Sequence, residues 1–297
     1  MKASSPDFLP PARARRGVII MLWSVAGFTV NTLLLRYLSG RAHGITPDVP
    51  LLFRAVIGIF IVLVFFRGRR PTRIKPVFTN WLLILRGVTG LLGTAAYYWT
   101  VPTLGAGMAT LICNTYVIFA SVIAVMALGE KLTTARFVWL AASFVGIVLL
   151  IGPNAGVTGF KIGINETIAL VGAVLAASSV VLVRRLVADY SIGTIYLSQC
   201  VWIFLPLLFI AAPKLAVLSG GEVALLVLAG TAAGWGQLAM NEGYRCLSVS
   251  AGASIQMLWP VMTTMGGFLL FDESFVTLQL LGAVLILVSV WRVSVKK

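Results

Sequence analysis

The chain has 297 residues, of which 59% are hydrophobic and only 11% charged, and its mean hydropathy is +1.00. A dissolved globule is excluded by those values. The formal charge of +14 does not point to nucleic acid either, because Lys and Arg sit in short gaps between apolar runs rather than on helical stripes with interleaved aromatics.

In chain order, MKASSPDFLPPARARR at 1–16 is predicted as a disordered cytoplasmic tail. Ten apolar runs of the length that crosses a hydrocarbon core as a helix follow, at 17–38, 49–66, 79–101, 104–127, 134–151, 166–187, 193–212, 222–245, 248–270 and 276–293. The runs are continuous rather than alternating, which selects helices over a barrel. The first lacks a small-residue cleavage site and is read as a retained span. The expected fold class is therefore all-α and integral to the membrane, with ten transmembrane helices. Cys113, Cys200 and Cys246 lie within apolar runs without paired spacing, so neither a disulfide nor a metal site is expected, and no cofactor is called for.

Basic residues set the orientation. With the N-terminus cytoplasmic, that side collects seventeen Lys and Arg, whereas only Arg41, Lys161 and Lys214 fall on the other. Both termini are thus expected inside, in the cell (inner) membrane. Residues 104–134 align without a gap on 247–277, so that Tyr116 meets Trp259 and Glu130 meets Glu273. Two five-span repeats follow, 17–152 and 166–293, and an odd span count inserts the second upside down.

WSVAGFTVNTLLLRYL in span one, Arg54 in span two and GEKLTTARFVWLAASFVGIVLL closing the first half resemble the EamA-type drug/metabolite transporter superfamily over nearly the whole chain after the tail. The resemblance implies ten-helix carriers with inverted five-helix repeats, many of them exporters of amino acids or other metabolites, including aromatic and hydrophobic amino-acid exporters of the YddG type. FDESFVTLQLLG departs from the pattern, with Asp272 where a Gly-Glu pair is usual. That leaves the local turn geometry open.

Polar groups at mid-depth should face the bundle or a wet cavity rather than lipid. The substrate-site candidates are Asn31, Tyr98, Asn114, Tyr116, Trp235, Gln237, Asn241, Gln256 and Trp259. Pro260 is expected to break span nine, freeing the Gln256 carbonyl beside a cavity and acting as a hinge. Arg54 is open to two readings, snorkelling outward or meeting a substrate carboxylate. Arg86, nearer the basic end, is expected to snorkel, and either Arg245 or Arg86 is expected to pair with Glu242. For each lone amide the alternative is interhelical glue, and for the Tyr97, Tyr98 and Trp99 triplet, near an outer boundary, a mixture of interfacial belt and extracellular vestibule is expected.

Proton-coupled carriers commonly bury a mid-depth Asp, Glu or His. Here the acids fall in the tail, loops or span ends, save Glu242 about a turn inside span eight near the cytoplasm, and His43 lies in a loop, so weakly coupled or facilitated transport by alternating access is expected. An intramembrane enzyme is the competing class, but no HExxH or GxSxG is present, and no enzyme is expected. The expected partners are a small-molecule substrate, most directly an amino acid, and membrane lipid. Nucleotide sugars, drugs and lipids are the alternative cargoes, no nucleic acid is expected, and a homodimer is left open.

Overall fold

A computed structural model of the protein describes residues 11–40, 45–65, 72–128, 134–151, 163–247, 255–256 and 258–295. Among these residues the chain is helical and contains no strand. The helices are α1 (Pro11–Ser39), α2 (Asp48–Phe65), a short α3 (Lys75–Thr79), α4 (Trp81–Leu104), α5 (Ala106–Asn114), α6 (Tyr116–Leu128) and α7 (Thr134–Ile151) in the first half. The second half carries α8 (Ile164–Leu186), α9 (Ile192–Ala211), a 3₁₀ segment (Ala212–Val217), α10 (Gly220–Cys246), α11 (Leu258–Phe271) and α12 (Thr277–Val295).

Every expected apolar run carries helix, with two departures. Helix α1 begins at Pro11, so residues 11–16 of the expected disordered tail are helical, while 1–10 lie outside the described residues. Proline suits the first helical position, where its missing N–H costs nothing, and the Ala and Arg that follow are good helix formers. The run expected at 104–127 is instead broken at Thr115, whose N–H and hydroxyl both bond to the Ile112 carbonyl, at 3.1 and 2.6 Å. By the repeat alignment Thr115 meets Leu258, the first residue of α11. Pro260 is the third residue of the described helix Leu258–Phe271. Residues 255–256 are helical as well and residue 257 lies outside the described residues, so the expected break of a longer helix at Pro260 lies outside them too.

Five helical stretches, Arg15–Ser39, Asp48–Phe65, Ile164–Val183, Ile192–Val217 and Gly220–Gly243, are long and apolar enough to cross a bilayer. Large apolar side chains such as Phe60, Val145, Phe209 and Leu269 stand exposed around the bundle. So extensive an apolar exterior suits acyl chains and not water.

The helices pair across the two halves: α1 on α10, α4 on α8, α2 on α9, α5 on α11 and α7 on α12. Matched by repeat, α8 corresponds to α1, α9 to α2, α10 to α4, α11 to the α5–α6 run and α12 to α7. Exchanging the halves turns the α1–α10 pair into the α8–α4 pair and leaves the other three unchanged, which is the contact pattern of a two-fold axis between them. Close approach needs small residues. A Cβ at Gly93 of α4 would sit 3.1 Å from the Ala176 nitrogen and 3.2 Å from the Gly172 carbonyl of α8.

Candidate functional site

A chamber with an atom-free volume of about 930 Å³, its mouth included, lies between the halves. Its wall comes from α1, α2, α4, α5 and α6 on one side and α8, α9, α10 and α11 on the other, with Gln256 just ahead of α11. Phe28, Tyr97, Tyr116 and Trp259 supply aromatic surface, while Asn31, Arg54, Arg86, Gln199, Gln237 and Asn241 supply polar groups. The Trp259 ring packs 5.3 Å from Phe28 and 5.5 Å from Tyr97, centroid to centroid. Edge and tilted contacts of this kind hold a rigid apolar floor.

One continuous hydrogen-bonded chain runs through the wall across four helices. Tyr98 Oη donates to Asn31 Oδ1 at 3.0 Å and accepts from Arg54 Nη1 at 3.4 Å. Arg54 Nη2 donates to Gln237 Oε1 at 3.3 Å, and Gln237 Nε2 in turn donates to Asn241 Oδ1 at 3.4 Å. The Arg54 guanidinium also sits 5.7 Å from the Tyr98 ring centroid, a cation–π distance. Arg54 is 6% exposed, so the snorkelling reading fails; neutral partners hold it inside.

A second chain reaches Arg86, which is 4% exposed. Its Nη2 donates to Gln199 Oε1 at 3.0 Å, and Gln199 Nε2 donates to Thr94 Oγ1 at 3.0 Å. Nε and Nη1 of Arg86 are buried without an acceptor. Neither the expected snorkelling nor the expected pairing with Glu242 occurs. Among the described residues the chamber wall contains no Asp or Glu.

The ion pairs lie elsewhere. Glu273 accepts from Arg36 Nε at 3.1 Å and from the backbone N–H groups of Ala106 and Gly107, at 2.7 and 3.0 Å, at the start of α5. Arg36 Nη1 also donates to the Pro102 carbonyl at 2.8 Å. A carboxylate at a helix N-terminus meets unpaired N–H groups and the positive end of the dipole. Asp272 takes φ 53° just before it, a left-handed conformation that Asp tolerates better than most side chains. The departure noted in FDES thus keeps the turn that glycine would provide.

Residues 15–152 and 164–295 each match the EamA-like transporter family. The chain belongs to that family. Transporters, not enzymes, make up both the family and its similar relatives. The pseudopaline exporter CntI of Pseudomonas aeruginosa (strain UCBPP-PA14) is 22% identical over 279 residues, covering 93% of this chain and 94% of that one. The S-adenosylmethionine uptake transporter of Rickettsia felis is 22% identical over 91% of this chain and 90% of its own. Human solute carrier family 35 member G1 is 26% identical over 57% of this chain and 48% of its own. A solved crystal structure shares the fold with a TM-score of 0.63 at 18% identity, over 95% of this chain and 96% of that chain.

Within this EamA-like transporter the chamber brings together Asn31, Tyr116, Gln237, Asn241, Gln256, Trp259 and Arg54. Tyr98 stands behind the wall, 1% exposed, and orients Asn31 and Arg54. Asn114 and Pro260 are buried but do not line the chamber. Trp235 is a correction: it is 58% exposed on the outside of α10. Two residues separate it from Gln237, a rotation of about 200° on a helix, so the two cannot share a face. Trp99 is exposed, whereas Tyr97 and Tyr98 are buried and Tyr97 lines the chamber. Gln256 donates to Ser24 Oγ at 2.9 Å, tying the start of the α11 run to α1.

Reading the sequence missed Arg86, Gln199, Tyr97 and Ser179 as chamber residues. Gln199 had a usable signal, an amide in the middle of an apolar run. For Arg86 the signal misled, because its place near a span end favours an outward reach.

Proposed function

We propose that this EamA-like transporter is a carrier that exports small amino-acid-type metabolites, aromatic or hydrophobic amino acids foremost, by alternating access. The reading includes ten crossings arranged as two inverted repeats, 17–152 and 166–293, with both termini on the cytoplasmic face of the inner membrane. The seventeen basic residues on one side support that orientation. A chamber walled by both halves, with Trp259 and Tyr97 set beside the amides Asn31, Gln199, Gln237, Asn241 and Gln256, carries the proposal. Aromatic faces take an apolar side chain, and amides can meet either an ammonium or a carboxylate.

Relatives named as an exporter and as an uptake transporter both match this chain over more than nine-tenths of its length, so the resemblance to them does not set direction. Export is the reading taken from the resemblance. Asn31, Tyr116, Gln237, Asn241, Gln256 and Trp259 are the proposed substrate contacts; Tyr98 and Arg54 position them. Asn114, beside the Thr115 turn, and Pro260, in the opening turn of α11, are proposed to serve the bending of their runs.

Counterflow in proteoliposomes with a panel of radiolabelled amino acids is the test. Counterflow of aromatic and aliphatic amino acids without an ion gradient is expected, reduced in Trp259→Ala and Gln256→Ala. Movement of nucleotides or lipids with no amino acid moving would overturn the cargo, and strict dependence on a proton or sodium gradient would overturn the uncoupled mechanism.

A further inference from the structure

Arg86 is placed as no purely structural arginine should be. Its guanidinium is buried at the chamber wall, only Nη2 has a partner, and that partner is a neutral amide. A buried cation without an anion is among the most costly arrangements a protein can hold, and a water molecule would complete its hydrogen bonds without neutralising its charge. Glu273 is paired with Arg36 and Asp48 with Lys214, so neither acid serves it.

The surroundings fix the group in this position. A Cβ at Gly90 would collide with Arg86 Nη1, so glycine makes the seat. Gln199 is held by Thr94 and by the Gly90 carbonyl, at 3.0 and 3.4 Å, which turns its Oε1 toward Arg86. Two further buried donors of the wall, Ser179 Oγ and Trp259 Nε1, also lack partners. Arg54 adds a second positive charge to the same wall. Donors thus exceed acceptors, and the missing component is an anion.

We propose that Arg86 anchors an oxyanion of the transported molecule, a carboxylate or a phosphate ester, inside the chamber. The inference rests on the chamber being the substrate site. Gly90 and Gln199 preorganise the guanidinium, and its open Nε–H and Nη1–H groups, on opposite sides of the Cζ centre, remain to donate to oxyanion oxygens. Binding the anion removes the charge imbalance, so affinity for charged molecules exceeds that for neutral isosteres of the same shape.

The test uses the full chain in detergent or nanodiscs, with benzoate, its neutral isostere benzamide and phenyl phosphate as probes, read by thermal unfolding and by titration of tryptophan fluorescence. Benzoate or phenyl phosphate is expected to stabilise and titrate the wild type while benzamide does neither. Response to benzoate alone makes the oxyanion a carboxylate; response to phenyl phosphate alone makes it a phosphate. Arg86→Gln should weaken the charged probe by about tenfold to a hundredfold, the worth of a hydrogen bond to an ionised group. Arg86→Lys should retain part of the binding, and Ser179→Ala, a milder change, should weaken it less. Equal response to benzoate and benzamide, no response to either anion, or an unaltered response in folded Arg86→Gln would overturn the proposal. Because the readout is binding, a chain that held benzoate through Arg86 yet failed in counterflow would sink the carrier reading and leave the anion site standing.

Discussion

Two arginines of the first half solve opposite problems. Arg36, at the end of α1, meets Glu273 of the second half, and Glu273 also caps α5, so charge, helix end and inter-half contact close on one another. Arg86, in α4, meets an amide and leaves two nitrogens open. A charge that serves the fold brings its counter-ion with it. One kept unpaired in a chamber destabilises the empty state, which is the usual signature of a group reserved for a ligand.

The comparison can be broken most strongly at Glu273. Glu273→Ala strands Arg36 and uncaps α5, so a loss of about 3 kcal/mol is expected, read as a lowered unfolding midpoint in detergent. Arg86→Met should go the other way: removing an unmatched buried charge with a side chain of similar reach is expected to leave stability unchanged or raise it by about 1 kcal/mol. A large destabilisation there would make Arg86 structural and erase the contrast. Gly90→Ala should displace the guanidinium and weaken anion binding several-fold, while costing about 1 kcal/mol of stability through crowding at Gln199. The Lys214–Asp48 pair, 2.8 Å apart but with the Lys side chain 42% exposed, should be worth less than about 1 kcal/mol in a double-mutant cycle. Smallest of all, Trp235→Ala should leave ligand titration unaltered, since its ring faces outward.

Chamber and exterior were not equally legible. Positions along a span were readable because lipid demands runs of a fixed length, and each expected run does carry helix. Faces around a span were less so. Gln237 and Asn241 lie one turn apart and both point inward, yet Trp235 was grouped with them although the helical step places it on the opposite side. Arg86 was misjudged for a different reason. Its depth permits snorkelling, and only the seat at Gly90 together with the Gln199 carbonyl oxygen of α9 decides against it. The turn at Thr115 gave no warning, because threonine is an ordinary residue in an apolar helix and its hydroxyl bond to Ile112 exists only once the chain has bent.

The sequence by itself determined a membrane-embedded, all-helical chain with a repeated half, because apolar length leaves the backbone no other way to satisfy its hydrogen bonds in lipid. Which side chains meet was decided only by tertiary structure. Pairing α1 with α10 and α4 with α8 sets the rotation of each helix, and that rotation selects which polar groups are enclosed, which are paired, and which guanidinium keeps nitrogens without acceptors.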